Sequence, residues 1–513
     1  MATKTINGTD SNDTVTITDS TSTPGFDVNL NAVASGPFND DTLIINGKFG
    51  SDTINLAGLT SASGVISVTI SGGGNDDNLT GSALADTFIV NGTGEGFDIY
   101  NGGDGTDAIK AQVAGTNIGL KGNFTSSNSI EEISANGFAN VNVIGDDTGS
   151  TLDFSATTLT NVTVDGRFGN DTITGNGDDN TIRGGGGDDI LNGAGGNDTF
   201  LVNGTGEGFD TYNGGIGDDV IKAQVNGTNI GLKGNFTSSN SIKEITANGF
   251  ANVNVIGDDN GNTLDFSGTT LTNVTVDGRF GNDTITGNAT ANTLRGGEGA
   301  DTIRGSAGND TLFGDGGNDT FTISGSGDGL DTLNGGTGID KWLGSSGADY
   351  FFVSGTTSNL DNLTSIEAID GGAGYDRIFG SSGNDTIDFS SGNPSLANIE
   401  EIDGAAGNDT ITASTSLATS YRGSAGADTF VVTNSSAEST ILDFDDTGDD
   451  RIDLSSFGLS LAQVQALTTQ SGADIRIELT AAAGSNGAGT GDIILVGTTL
   501  GSLDFTGSTD FIV

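Results

Sequence analysis

Large apolar residues recur singly along this chain, nine residues apart, and glycine, aspartate, asparagine and threonine fill most positions between them. Contiguous nonapeptides run from Gly278 to Thr322 as GRFGNDTIT, GNATANTLR, GGEGADTIR, GSAGNDTLF and GDGGNDTFT, and a second run begins at Gly166. Their shared pattern is G-G-x-G-x-D-x-U-x, where U is a large apolar residue. Side chains alternate between the two faces of a strand, so D-x-U-x predicts a short strand with one inward side chain.

One such nonapeptide cannot bury its apolar residue alone, but stacked copies can form a thin, continuous core. The pattern therefore predicts an all-β protein, a parallel β-solenoid of the β-helix or β-roll kind. The side chains expected to point inward are Ile173, Leu191, Phe200, Ile285, Ile303, Leu312 and Phe321. Trp342 and Phe351 fall at or next to inward positions, so we expect them in the core as well.

The first six residues of each nonapeptide predict a turn that binds a hard cation. Glycine permits positive φ and leaves backbone carbonyls uncovered, and the aspartate at position 6 adds a carboxylate. Stacking brings these oxygens together, and Ca²⁺ takes six to eight oxygen ligands. The sequence thus predicts rows of Ca²⁺ between the turns. The candidate ligands are Asp52, Asp107, Asp171, Asp189, Asp198, Asp219, Asp283, Asp301, Asp310, Asp319, Asp340, Asp349, Asp376, Asp385, Asp409 and Asp428.

Composition sharpens this prediction. The chain has 513 residues, 68 acidic against 17 basic side chains, a formal charge of −51 and 87 glycines. Acidic, glycine-rich chains are often disordered, which is the competing interpretation. One Ca²⁺ per nonapeptide would add on the order of +30 and cancel most of the charge. The two interpretations therefore describe two states of one protein, without and with metal.

The same composition removes several classes of function. The acidic balance excludes nucleic acid as a natural partner and a polybasic membrane anchor. The chain has no His and no Cys, which excludes H-E-x-x-H zinc sites, Ser-His-Asp triads and cysteine nucleophiles. Composition does not exclude a glycosidase, because glycosidases use paired carboxylates and the chain has many. Because nearly every Asp already has an explanation as a ligand, we expect no enzyme.

A second, longer period divides the chain. Asp86–Asn176 recurs as Asp198–Asn288, with about 80 of 91 positions identical, and a diverged third copy begins near Asp319. The expected segments are 1–46, an N-terminal β segment; 47–197 and 198–318, solenoid with the first and second long repeats; 319–431, the third repeat; and 432–513, a C-terminal cap and export signal. Inside the first copy, strand-like runs at 141–144, 152–154 and 162–164 predict longer rungs of the same solenoid.

The nonapeptides resemble those of the RTX (repeats-in-toxin) family. That resemblance implies a right-handed parallel β-roll with Ca²⁺ between its turns, and it carries the ligand role to the position-6 aspartates. Asn180 and Asn292 occupy position 6 in two nonapeptides. An amide oxygen lacks the charge of a carboxylate, so we expect weaker sites there or none.

The C-terminal region is similar to that of type I secreted RTX proteins. The resemblance rests on Asp443–Phe444, the stretch DDRIDLSSF at 449–457 and the terminal Asp510–Val513. The resemblance implies a type I ABC exporter as partner and a secreted, extracellular or cell-surface location. The alternative is a hydrophobic cap on the last rung, and both can hold together. No apolar run is long enough to span a membrane, and LSLAQVQAL at 459–467 is the best helix candidate.

Several bacterial surface-layer proteins resemble this chain in combining such repeats with calcium-dependent assembly. We therefore expect a secreted structural protein that assembles with itself into a surface layer or filament. The alternative is an adhesin that binds cell-surface polysaccharide or host cells. Strand-like runs at 14–18 and 43–45 could add to a neighbour's sheet, and the sequence leaves sheet, filament and adhesin open.

Non-glycine residues in some turns give two smaller expectations. Phe49, Phe168 and Phe280 lie at position 3 of their turns. They could be exposed contacts, and partial burial is the expectation. Arg167 and Arg279, beside them, are expected to pair with ligand carboxylates.

Overall fold

A computed structural model describes residues 3–8, 13–19, 26–30, 41–61, 64–354, 360–390, 394–444, 450–479, 492–506 and 509–513. Nearly all regular structure in these ranges is short β-strand. The chain forms two compact units, Met1–Ile256 with Gly268–Val274, and Gly257–Ser267 with Thr275–Val513. Each unit is a parallel β-solenoid, as the sequence predicts.

Two nonapeptides make one turn of the coil. In the first unit, Thr181–Arg183 pairs in parallel with Thr199–Val202, and Ile182 lies opposite Phe200, 18 residues later. Thr172–Thr174 pairs in the same way with Ile190–Asn192 in a different sheet. Successive nonapeptides therefore place their strands in two sheets alternately, and equivalent residues recur every 18 positions wherever no insertion interrupts the repeat.

The core holds one large side chain per strand. Most three-residue strands bury only their central residue. The seven predicted inward side chains are all buried, with exposed fractions of at most 2%. Trp342 and Phe351 are buried too and pack edge to face, with ring centroids 5.0 Å apart. The period of nine therefore identifies the core correctly.

The strands of the first unit are, in chain order, Thr3–Asn7, Thr14–Asp19, Phe26–Leu30, Asp41–Phe49, Thr53–Gly58, Val65–Gly74, Asn78–Thr80, Asp86–Val90, Ile99–Asn101, Ala108–Ala111, Asn117–Gly119, Glu132–Ser134, Asn142–Ile144, Thr151–Asp153, Thr158–Thr160, Thr163–Asp165, Thr172–Thr174, Thr181–Arg183, Ile190–Asn192, Thr199–Val202, Thr211–Asn213, Asp219–Ala223, Asn229–Leu232, Ile242–Thr246, Asn254–Gly257 and Thr270–Thr272. Two single-turn 3₁₀ helices, Ser126–Asn128 and Ser238–Asn240, occupy equivalent places in the two long repeats. The predicted strands of the first long repeat are confirmed to within one residue.

The strands of the second unit are Thr263–Asp265, Thr275–Asp277, Thr284–Thr286, Thr293–Glu298, Thr302–Arg304, Thr311–Gly316, Thr320–Thr322, Thr332–Asn334, Lys341–Leu343, Tyr350–Phe352, Leu363–Thr364, Ala368–Asp370, Arg377–Phe379, Thr386–Asp388, Ser395–Ala397, Glu401–Asp403, Thr410–Thr412, Thr419–Arg422, Thr429–Val431, Ser439–Ile441, Arg451–Asp453, Thr468–Ser471, Asp474–Ile477, Ile493–Leu495 and Phe511–Ile512. A 3₁₀ turn spans Ser455–Phe457, and an α-helix spans Leu461–Leu467 within the predicted helical stretch.

The first unit begins with strands that pair within the chain itself. Thr3–Asn7 is the terminal strand of its sheet and pairs in parallel with Asp41–Phe49. Thr14–Asp19 pairs antiparallel with Phe26–Leu30 and in parallel with Thr53–Gly58. The predicted N-terminal strands therefore exist as elements of this chain's own sheets.

The second unit ends in strands of mixed direction. Thr468–Ser471, Asp474–Ile477 and Ile493–Leu495 form an antiparallel group at one sheet's end. Phe511–Ile512 adds in parallel to Arg451–Asp453, and Phe511 is fully buried. The cap and export roles of residues 432–513 stay predictions. Asp449, one of the residues that carry the export resemblance, lies outside the described residues.

Candidate calcium-binding turns

The turns between strands are built from positions 1 to 6 of each nonapeptide. In the turn 166–171, Arg167 and Gly169 have φ of 77° and 111°. Positive φ at positions 2 and 4 bends the backbone sharply between Thr163–Asp165 and Thr172–Thr174. We call a turn open when both of these residues have positive φ. Glycine holds position 4 in nearly all open turns, because few other residues adopt this conformation.

One oxygen of each position-6 aspartate links neighbouring turns. The backbone N–H of Asp171 donates to Oδ1 of Asp189 over 2.7 Å, and that of Asp189 donates to Oδ1 of Asp210 over 2.9 Å. In the second unit the same link runs from Asp283 to Asp301 and on to Asp319. We call such a series of linked turns a row. Each row stacks its carboxylates along one edge of the coil, and successive nonapeptides belong to different rows.

The other carboxylate oxygen, Oδ2, has no partner in fifteen turns. In each it is buried and accepts no hydrogen bond from any described residue. All fifteen turns are open. A buried carboxylate oxygen without a partner costs several kcal/mol unless a cation or donor reaches it. The aspartates are Asp52, Asp77, Asp107, Asp171, Asp189, Asp198, Asp219, Asp283, Asp301, Asp310, Asp319, Asp340, Asp376, Asp409 and Asp428.

Backbone carbonyls surround these unpartnered oxygens. A Cβ added to Gly278, at position 1 of its turn, would stand 2.5 Å from Oδ2 of Asp283 and 2.6 Å from the carbonyl oxygen of Gly296. At Gly193 the corresponding distances are 2.1 Å to Oδ2 of Asp198 and 2.6 Å to the carbonyl oxygen of Gly214. Glycine is therefore required at position 1, where two turns approach closely and present oxygen atoms to each other.

Burial makes these carboxylates hard to ionise without a cation. Burial, opposed by the backbone hydrogen bond and reinforced by neighbouring carboxylates, raises the pKa of Asp171 and Asp409 to about 7. The same causes raise the pKa of Asp189 and Asp319 to about 6. An ordinary aspartate titrates near 4. A divalent cation in the turns would reverse this shift, because it favours the charged carboxylate.

This donor set fits calcium. Ca²⁺ takes carboxylate and carbonyl oxygens in flexible numbers, whereas nitrogen and sulfur ligands suit zinc and copper. Within the described chain, no group of three or more acidic side chains converges on one point. Each turn supplies one carboxylate and several carbonyls, so the ligands of one ion must come from neighbouring turns of a row.

The structure brings fourteen of the sixteen predicted aspartates into this arrangement, all except Asp349 and Asp385. Those two carboxylates accept hydrogen bonds from Ser345 and Ser381 of their own turns. Asp77 joins the set although the sequence analysis missed it, because Asn75 replaces glycine at position 4 and holds φ at 78°. Metal occupancy at every one of these residues stays a prediction.

Two expectations about the other turn residues are wrong. The ion pairs of Arg167 and Arg279 are instead with Asp147 and Asp259 of preceding turns, at 3.2 Å each. Phe49, Phe168 and Phe280 are each more than half exposed. Position 3 points outward from the turn, so its side chain finds no core to enter.

Comparison with known proteins agrees with this geometry. A family model described as the RTX calcium-binding nonapeptide repeat matches residues 67–88, 165–200, 204–224, 275–294, 286–321, 326–355, 364–396 and 398–415. No curated protein matches the sequence.

Twelve chains of solved structures match, among them the extracellular lipase LipA from Serratia marcescens, at 13% identity and a TM-score of 0.17. That match covers 49% of this chain and 45% of the lipase, so this chain spans less than half the lipase's length. A likeness of that size says nothing about activity. The family match, together with the parallel solenoid, establishes that the chain carries RTX calcium-binding nonapeptide repeats in several copies along its length.

Proposed function

We propose that this protein is a secreted, calcium-folded structural solenoid that assembles with itself into a surface layer or extracellular filament, and that it is not an enzyme. The observation that carries the calcium part is the set of fifteen buried, unpartnered carboxylate oxygens. When bound, Ca²⁺ supplies positive charge and six to eight coordination positions. The turns then gain the ligand-to-cation contacts that their own residues lack.

The charge of the chain makes folding dependent on calcium. With a formal charge of −51, stacked carboxylates repel one another until cations neutralise them. Cytosolic calcium is scarce and extracellular calcium abundant, so the chain stays loose inside the cell and folds outside, since binding free energy becomes folding free energy. This supports export through a type I ABC exporter, which moves unfolded chains. In the described ranges, no helix has the length and apolar character needed to cross a bilayer.

A strand that is terminal in its sheet, among the residues that the structure describes, supports self-assembly. Thr3–Asn7 is the terminal strand of its sheet, and Gly8 N–H donates to the carbonyl of Asn46 over 2.8 Å. Alternate residues of a strand point their backbone groups to opposite sides, so the backbone N–H of Thr5 points away from the paired strand. A strand of a second copy can add there by β-augmentation.

The test is a calcium titration of the chain purified in chelator, followed by far-UV circular dichroism and negative-stain electron microscopy. We expect a coil-to-β transition and then ordered sheets or filaments. Thr5→Pro should keep the transition and lose the assemblies, because proline removes the outward N–H, while Thr5→Ala should keep both. If Thr5→Pro forms assemblies equal to those of Thr5→Ala, the proposal that a second copy adds at this strand is refuted.

A second candidate function is a calcium-dependent adhesin that binds cell-surface polysaccharide. One observation favours it, a groove of about 500 Å³ in the second unit, lined by Tyr375, Asn398, Glu400, Thr419 and Glu438 among others. Tyr375 is half exposed, and an aromatic face beside carboxylates and hydroxyls suits a sugar. Monomeric rods that retain polysaccharide only with calcium present would favour the adhesin over the self-assembling protein.

A further inference from the structure

Five turns differ from the open ones because position 2 supplies a hydrogen bond to position 6 of the same turn. The backbone N–H of Ser82 donates to Oδ2 of Asp86 over 2.6 Å. Ser345 with Asp349, at 2.5 Å, and Ser381 with Asp385, at 2.6 Å, repeat this contact. Each serine hydroxyl also lies within hydrogen-bond distance of the same carboxylate.

The two remaining members use amides. Asn176 N–H donates to Oδ1 of Asn180 over 2.8 Å, and Nδ2 of Asn180 donates back to Oδ1 of Asn176 over 3.0 Å. Asn288 and Asn292 make the same pair of contacts. We call these five turns closed. The amide pairs satisfy each other with no cation at all.

Backbone conformation separates the two kinds of turn completely. In the fifteen open turns, positions 2 and 4 both have positive φ. In the five closed turns, all within the described chain, neither position does, and even Gly347 and Gly383 at position 4 keep ordinary φ. Negative φ at position 2 turns its N–H toward position 6, into the space where the open turns leave Oδ2 unpartnered.

Closed turns begin rows. Each passes its position-6 backbone N–H to Oδ1 of an open turn, from Asp86 to Asp107, Asn180 to Asp198, Asn292 to Asp310, Asp349 to Asp376 and Asp385 to Asp409, at 2.7 to 2.8 Å. Each of these is the first described nonapeptide turn of its row.

Several rows also finish on a hydrogen bond made by a protein side chain. The hydroxyl of Tyr100 donates to Oδ2 of Asp98 over 2.8 Å, and that of Tyr212 to Oδ2 of Asp210 over 3.0 Å. Elsewhere a longer glutamate accepts the last backbone N–H, as Glu131 does from Asp107 at 2.6 Å and Glu367 from Asp340 at 2.7 Å. The tyrosine contacts satisfy Oδ2 of Asp98 and Asp210 without metal, whereas Asp107 and Asp340 keep an unpartnered Oδ2.

We propose that the closed turns hold no calcium and act as built-in caps at the start of the five rows that they begin. This inference rests on the proposed calcium binding and refines it residue by residue. A cation approaching the position-6 oxygen of a closed turn meets hydrogens of the N–H and hydroxyl donors, whereas in an open turn it meets carbonyl oxygens. The caps therefore fix how many ions each row takes, and they order the first turn before any ion binds.

The chain offers a matched pair of turns for the test. Asp310 and Asp428 lie in open turns, and Asp349 and Asp385 lie in closed ones, although all four turns have serine at position 2. The double variants Asp310→Asn/Asp428→Asn and Asp349→Asn/Asp385→Asn remove the same two charges. Asparagine fits position 6 of a closed turn, because Asn180 and Asn292 already occupy it in this chain. Whether the open-turn variant also folds is checked by circular dichroism.

The measurement is the number of Ca²⁺ ions bound per chain by native mass spectrometry at fixed free calcium, with circular dichroism as the folding control. We expect the open-turn variant to lose at least one ion and the closed-turn variant to keep the wild-type number. Equal losses of bound Ca²⁺ from both variants would refute the proposal that closed turns hold no calcium. Calcium binding by the chain as a whole would stand. A wild-type chain that binds no calcium would instead refute the proposed function, and the caps with it.

Discussion

Two turns of the second unit differ by one residue in sequence and by their whole conformation in structure. Residues 305–310 read GSAGND and residues 380–385 read GSSGND. Ser306 has φ of 74°, and Asp310 keeps an unpartnered Oδ2. Ser381 instead directs its N–H and its hydroxyl to Asp385, at 2.6 and 2.8 Å. Nearly identical motifs thus give one open turn, with an unpartnered carboxylate oxygen, and one closed turn, whose carboxylate accepts hydrogen bonds from its own serine.

Place in the row explains the difference better than residue type. Asp310 lies inside a row, where it accepts from the backbone of Asn292 and donates to Asp331. Asp385 is the first described nonapeptide turn of its row and donates to Asp409. A serine at position 2 permits closure, and a starting position in the row makes it favourable. The repeat motif alone therefore does not determine which aspartates can hold calcium.

The largest expected effect comes from removing charge inside one row. Asp283→Asn/Asp301→Asn/Asp319→Asn removes three stacked carboxylates, so the calcium midpoint of folding should rise on the order of tenfold. The measurement is circular dichroism along a calcium titration. Asp86→Asn/Asp349→Asn/Asp385→Asn, which changes only closed turns, is the control and should shift the midpoint less than about twofold. Equal shifts would remove the distinction between the two kinds of turn.

The next effect is a pH dependence that reverses with calcium. Burial raises the pKa of Asp171 and Asp409 to about 7 in the metal-free folded chain, above the unfolded value near 4. Between these values the folded form binds more protons, so its stability falls as pH rises from about 4 to 7. In chelator, the β-sheet content seen by circular dichroism should therefore be higher at pH 5 than at pH 8. With calcium present the order should reverse, because protons compete for the same oxygens; an unchanged order would contradict calcium ligation there.

A smaller effect is expected where the two long repeats differ at a row end. In the first copy Glu131 accepts the backbone N–H of Asp107 over 2.6 Å. Lys243 occupies the corresponding place in the second copy, near Asp219. Lys243→Glu removes a positive charge beside Asp219, so the calcium midpoint should fall by about twofold, a surface-charge effect. Glu131→Lys should raise it by a similar factor, and shifts of the same sign would contradict this account.

The smallest effect tests residue type against row position directly. Ser382→Ala converts GSSGND into GSAGND, the sequence of the open turn at 305–310. If row position decides, the turn stays closed, and the number of bound calcium ions in native mass spectra does not change. A gain of one ion would show that the residue at position 3 decides instead.

The sequence predicted the parts of the structure that repeat. A period of nine was enough to identify the strands, the inward side chains such as Ile173 and Phe321, and fourteen of the fifteen unpartnered carboxylates. Asp77 was missed because Asn75 stands where the pattern requires glycine; asparagine adopts positive φ more readily than most residues. An aspartate at position 6 with Gly or Asn at position 4 would have found it.

The closed turns and row ends could not be predicted in the same way. The role of Ser381 depends on which turn lies before it in the coil, and nonapeptide order does not encode that. Glu131 lies outside the stretches that the repeat model matches. Only the parallel register of the solenoid brings Glu131 and Glu367 to the ends of rows.

The most direct test of the account is a crystal structure grown in calcium, with anomalous scattering used to locate the metal. We predict rows of anomalous peaks about 2.3–2.6 Å from Oδ2 of the open-turn aspartates, and none at the carboxylates of Asp86, Asp349 and Asp385. Peaks distributed equally over both kinds of turn, or no peaks in the rows, would contradict it.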